Sequence, residues 1–226
     1  NQKGTTVTNV LSGGGSGNVS SPAITVLEPI IVPTLTATAT TVDGNDTPRF
    51  TLTLPNTGDS TAFETEFSIE LAAARLSTPT NIVLSNGCTF VATPTVVSGN
   101  LVGTIVKVDN ATTCSVAFDA IVDATVPVAA TQALRAVITY SSLSGVAADG
   151  ERDGSGGTIN DYTASVTLNL VVPNGTLVKT QDRTSSTATS GGVIALGETA
   201  TFKIRVNLAE GTIINPQVSD TSSGMR

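Results

Sequence analysis

The sequence predicts an all-β protein made of antiparallel β-sandwich modules in tandem, and three observations carry that prediction. Thr contributes 38 residues, Val 26 and Ile 13, so about a third of the 226 residues are β-branched and suit a pleated sheet. Apolar and polar residues alternate with period two in short bursts, and Gly, Pro, Asn and Asp interrupt them about every ten residues. The order of bursts and turns then recurs about 140 residues further along the chain.

The elements follow from that alternation. Leu35-Thr36-Ala37-Thr38 is a short strand, the turn Asp43-Gly44-Asn45-Asp46 ends it, and Phe50-Thr51-Leu52-Thr53-Leu54 is the next. Phe63, Thr65, Phe67, Ile69 and Leu71 alternate with Glu64, Glu66, Ser68 and Glu70, which predicts one core-facing set and one solvent-facing set. A helix competes at residues 70–76, where Ala and Leu concentrate; nine alternating residues favour a strand through Leu71, with at most one helical turn after it. Further strands are predicted at residues 81–84, 89–93, 101–108, 114–122, 133–140 and 162–172, with turns at Asn86-Gly87, Ser98-Gly99-Asn100 and residues 149–157. Seven or more short strands without a long helical pattern read as an antiparallel sandwich.

The internal repeat sets the expected domain organisation. Ala23-Ile24-Thr25-Val26-Leu27-Glu28-Pro29 is similar to residues 165–173, and the run from Phe50 to Gly58 is similar to the run from Phe202 to Gly211. Leu35 to Thr38 and Leu177 to Thr180 share Leu-x-x-Thr. Residues 1–28 therefore read as the closing strands of one repeat, 29–173 as a whole repeat, and 174–226 as the opening strands of another. The chain starts at Asn1 without Met or signal peptide, so the expectation is a processed chain or a window on a longer polypeptide. Donation of the first strands to a second copy is the alternative.

Composition excludes most chemistry. Without His there is no imidazole base or ligand, and two Cys cannot close a thiolate zinc site. A net charge of -7 and the absence of a Lys/Arg run argue against nucleic acid, and no stretch is apolar enough for a membrane helix. No nucleophile elbow, phosphate loop or dinucleotide fingerprint stands in usable context, so no enzyme is expected. Few Lys, abundant Thr, Ser, Gly and Asn, and Cys88 and Cys114 spaced 26 apart fit an oxidising exterior and a disulfide; two buried free thiols are the alternative. Asp43, Asn45 and Asp46, and Asp149 and Asp153, place oxygens on short Gly-containing turns as calcium sites do, although such turns need these residues for their backbone alone. Apart from calcium at these turns, the sequence leads to the expectation of no cofactor.

Gly58-Asp59-Ser60-Thr61-Ala62-Phe63 leading into an alternating strand, Ser85-Asn86-Gly87-Cys88-Thr89, and Thr113-Cys114-Ser115-Val116-Ala117-Phe118 resemble the conserved-repeat domains of large bacterial surface and fimbrial proteins. The loop from Gly150 to Gly157 with Asn160-Asp161-Tyr162 is similar to one before their last strand. The resemblance, over most of residues 24–220, implies immunoglobulin-like modules in an extracellular stalk, some closed by internal isopeptide bonds. Residues 29–173 depart from that chemistry, because Lys107 is the single Lys between positions 4 and 178. Lys179 stands where the resemblance places a reactive Lys, with its partner expected past Arg226; a solvated strand Lys is the plainer reading. The expected function is a structural stalk or filament at the cell surface, its partners neighbouring copies or repeats joined head to tail. The alternative is an adhesin that recognises a glycan or protein through end loops such as residues 149–160.

Overall fold

The computed structural model describes residues 6–8, 10–12, 18–20, 22–85, 87–145, 162–187, 189, 192–208 and 216–221. Among them are fifteen strands and no helix. The first four are short: β1 (Thr6–Val7) pairs with β4 (Ile24–Thr25), and β2 (Val10–Ser12) with β3 (Asn18–Ser20). The body is a sandwich of nine strands: β5 (Thr34–Ala37), β6 (Arg49–Pro55), β7 (Ala62–Glu70), β8 (Thr80–Ser85), β9 (Thr95–Val97), β10 (Asn100–Val108), β11 (Thr113–Asp119), β12 (Thr131–Ser141) and β13 (Thr163–Val171). A hairpin of β14 (Thr176–Thr184) and β15 (Ala200–Asn207) follows.

One sandwich layer has the order β13-β12-β7-β10-β9 and the other β5-β6-β11-β8, all antiparallel. Alternation decides which side chains face between the layers. Phe50, Leu52 and Leu54 of β6, Cys114, Val116 and Phe118 of β11, Leu101 and Ile105 of β10, and Leu134, Ala136 and Ile138 of β12 are all fully buried. Phe50 and Phe118 stack with ring centroids 5.3 Å apart, an aromatic contact that adds to the area they bury.

Two expectations change. The alternation assigned to Phe63 through Leu71 holds from Thr65 onward but not before it. Thr139 pairs with Glu66, yet Ser141 pairs with Phe63, so β7 carries one extra residue against β12. Glu64 absorbs it with φ 41°, a β-bulge that turns Ala62 into the core and leaves Phe63 half-buried. The Glu64 carboxylate then accepts hydrogen bonds from the hydroxyls of Ser141 and Ser144 at 3.0 and 3.2 Å. The strand predicted at residues 89–93 is reduced to a bridge between Phe90 and Ile105, and the outer strand re-forms at Thr95–Val97. The cause is Pro94, which lacks a ladder donor; it is buried against Gly103, where a Cβ would lie 3.0 Å from its ring. Residues 71–75 form turns and no helix.

Candidate functional site

The chain enters and leaves the sandwich at opposite poles, and the polar chemistry that stands out lies at these joints. β6 runs from Arg49 to Pro55 and β13 from Thr163 to Val171, so the pole holding Pro55 and Tyr140 is separated from that holding Val171 by a nine-residue strand, about 30 Å.

At the lead-in pole, residues 28–32 lie along residues 55–59. Backbone hydrogen bonds run from Val32 N to Pro55 O (3.1 Å), Thr57 N to Ile30 O (2.8 Å) and Asp59 N to Glu28 O (3.0 Å). Asn56, 1% exposed, is the hub. Its Oδ1 accepts from Ile30 N (3.1 Å) and Gly58 N (3.0 Å), while its Nδ2 donates to Ser60 O (2.8 Å) and Val108 O (2.9 Å). All four of its hydrogen-bonding positions are used, as burial of an amide demands. Ile31 N donates to the Tyr140 hydroxyl at 3.3 Å. Gly58 is needed for close approach, because a Cβ there would lie 2.4 Å from both Glu28 O and Ile30 N. In the sequence Asn56 stands only in the run from Phe50 to Gly58 that the repeat matches, and nothing local in it signals that Asn56 binds a segment 26 residues earlier.

At the exit pole, residues 40–42 cross from the β5 layer to run parallel to the end of β13. Val171 N donates to Thr40 O at 2.7 Å and Val42 N to Val171 O at 3.0 Å. Val172 N donates to Ala130 O at 2.8 Å, and Ala129 N to Pro173 O at 3.3 Å. Both ends of the sandwich are thus held by backbone pairing.

Cys88 and Cys114 are joined by a disulfide, with Cα atoms 5.9 Å apart. Cys114 is fully buried in β11, and Cys88 lies on the connection from β8 toward Phe90 and β10, so the bond ties one layer to the strand that crosses to the other. Beside it, Lys107 and Thr61 hydrogen-bond to the Asp109 carboxylate, and chiefly the Lys107 bond holds its pKa below the ordinary value. Asp119 is lowered by the hydrogen bond from Asn81 and then by Arg49, which it meets at 2.8 Å. Asp123 is lowered by the backbone N–H and hydroxyl of Thr125.

The first calcium candidate is a turn at the exit pole. Asp46 Oδ2 accepts from Asp43 N (2.7 Å), Asp46 N donates to Asp43 O (3.2 Å), and Asn45, at φ 69°, donates its N–H to Val122 O (2.9 Å). One Asp43 carboxylate oxygen is buried without a hydrogen-bond partner. Among the described residues no three His, Cys, Asp or Glu side chains converge as metal ligands. Asp149 and Asp153 lie outside the described residues. Lys179, on β14, donates to both carboxylate oxygens of Asp220 at 2.6 and 2.7 Å and stands 4.5 Å from the Phe202 ring centroid. About a third to a half of each of the two charged side chains is exposed, so this ion pair contributes at most about 1 kcal/mol. Among the described residues no helix is long and apolar enough to cross a membrane.

No family model matches the chain, and no curated protein matches it. Among solved structures it is similar to the major pilin subunit BcpA of Bacillus cereus, at TM-score 0.42 and 9% identity over 91% of this chain and 64% of that one. It is similar also to a point variant of that subunit, at TM-score 0.45 and 11% identity over 92% and 64%. The chain thus spans less than two thirds of the length of those pilin chains.

Proposed function

We propose that this chain is a structural protein of the cell exterior, built of tandem immunoglobulin-like β-sandwich modules that form a stalk or fimbria-like filament. The observation that carries the reading is the pair of joints at opposite poles, each tied into the sandwich by backbone hydrogen bonds. A module so connected transmits tension along its strands, and its core residues lie between the points of attachment. The disulfide adds a covalent tie between the layers, which suits an oxidising exterior. Residues 29–173 are the complete module in this reading, with 1–28 and 174–226 belonging to its neighbours. Neither calcium nor a crosslink at Lys179 is needed for it, and the mechanism is load-bearing without catalysis.

Immunogold electron microscopy of the producing cells tests the assignment. Label spaced along surface appendages or over the cell surface is the expected result. Label confined to filament tips, together with micromolar binding on a glycan array, would instead make the chain an adhesin. Label confined to the cytoplasm would overturn both.

A further inference from the structure

Two features of the molecule are complementary defects. Each of three outer strands of the sandwich is protected from pairing with another chain. β5 has four residues before the chain crosses to the other layer, β9 has three behind Pro94, and β8 is out of step with β11 beyond Ala117 and holds Asn81 at φ 50°. β13 has no such device. It stays in step with β12 from Thr163 opposite Thr139 to Val171 opposite Thr131, and its nine residues include no Gly, Pro or charge. Among the described residues, strand pairing on its outer side is limited to the bridge of Thr41 to Val171. Its core-facing Ala164, Val166 and Leu168 are only partly buried, so the rim of the core is open there.

The second defect is the hairpin. Pairing of Leu177 with Val206, Lys179 with Ile204 and Gln181 with Phe202 puts Phe202, Ile204 and Val206 of β15 on one face beside Leu177. These four residues are 39 to 54% exposed. Lys203 and Arg205 occupy the opposite face of β15. Residues 174–208 carry four cations against two acids, and residues 29–173 thirteen acids against five cations, so hairpin and sandwich have opposite net charge.

We infer that the open edge of β13 in one copy accepts strand β15 from the hairpin of a second copy; this rests on the filament reading above and names its contact. Phe202, Ile204 and Val206, spaced by two, cover the rim at Ala164, Val166 and Leu168, and Lys203 and Arg205 come to lie beside uncharged Ser165, Thr167 and Asn169. The hairpin of the same chain does not fill this place, since Val172 and Pro173 between it and β13 are bound to Ala130 and Ala129. An edge on one copy and a hairpin on the next make a heterologous contact, which propagates as an open head-to-tail filament.

The test uses the whole chain and two blocking variants. Val166→Lys points a charge into the rim of the edge strand, and Ile204→Glu charges the exposed face of the hairpin. Circular dichroism and melting establish that each is folded, and Thr167→Lys, on the solvent face of β13, serves as a second edge block if Val166→Lys does not fold. By sedimentation velocity at low ionic strength the unaltered chain is expected to assemble with rising concentration. Either variant alone needs at least tenfold more protein, and an equimolar mixture of the two gives one-to-one dimers that grow no further. Assembly by Ile204→Glu alone would mean that β13 edges pair with each other, and assembly by the edge-blocked variant alone that hairpins do. Either result, or an inert mixture, overturns the contact. An unaltered chain that stays monomeric at millimolar concentration also overturns it, while leaving the immunogold result standing.

Discussion

The β5–β6 hairpin and the β14–β15 hairpin carry the same pattern and differ in what covers them. Leu35, Phe50 and Leu52 are at most 6% exposed, whereas Leu177, Phe202 and Ile204 are 39 to 54% exposed. Even the register differs without changing the faces: Leu35 is opposite Leu52, but Leu177 is opposite Val206, two residues beyond the position the repeat predicts. A shift of two preserves which side chains share a face, while a shift of one would invert it. Alternation therefore makes a strand amphipathic, and burial comes from the opposing sheet.

The sharpest test of that difference is a pair of truncations read by urea unfolding. Phe50→Ala removes a fully buried ring stacked on Phe118 and is expected to cost about 3–5 kcal/mol. Phe202→Ala is expected to cost no more than about 1 kcal/mol, chiefly its contact with Lys179. The comparison is made at a concentration where the chain is monomeric; equal losses there would break it, because they would mean that the hairpin face is covered within one chain.

The sandwich also has a covalent tie, for which the hairpin has no counterpart. Reducing the Cys88–Cys114 bond, which closes a loop of 26 positions, is expected to lower stability by roughly 3 kcal/mol in the chain-entropy account. Melting with and without reductant reads this, and an unchanged Tm would refute it. Asn56→Ala is expected to cost about 1–3 kcal/mol, since it strips partners from Ile30 N, Gly58 N, Ser60 O and Val108 O together. Its separate signature is faster proteolysis within residues 28–32, where cleavage as slow as in the unaltered chain would show that Asn56 does not hold the lead-in segment.

The smallest effect is one of pH. Asp109, Asp119 and Asp123 in the sandwich, and Glu198 in the hairpin, have folded-state pKa values below their ordinary ones. For Glu198 the main cause is the N–H of Ala195, followed by the Thr189 hydroxyl. The folded state therefore binds fewer protons than the unfolded state in acid. The stabilisation is fully present above the ordinary carboxylate range and is lost as pH falls through the depressed values. Tm should be flat from about pH 7 to 5 and fall below about pH 4, with a shallower fall in Asp119→Asn. A rise in Tm on acidification would contradict the sign.

Fold class, strand positions and most core residues were legible because period-two alternation is local; β6, β10, β12 and β13 each cover the bursts that predict them, to within a residue or two at their ends. The bulge at Glu64 was not legible, since it exists only as a mismatch between β7 and a strand 70 residues away. Nor was the outer strand that Pro94 displaces to Thr95–Val97, which depends on what packs against Gly103. At the poles, the role of Tyr140, Asn56 and Gly58 was not legible either, because it depends on a segment that reaches them from a distance in sequence. By itself, then, the sequence determined an all-β chain of amphipathic strands, because side chains alternate across any extended backbone. Tertiary structure decided which of those strands are covered and where the chain is clasped, because opposing sheets and long-range hydrogen bonds set these and a local pattern does not encode its partner.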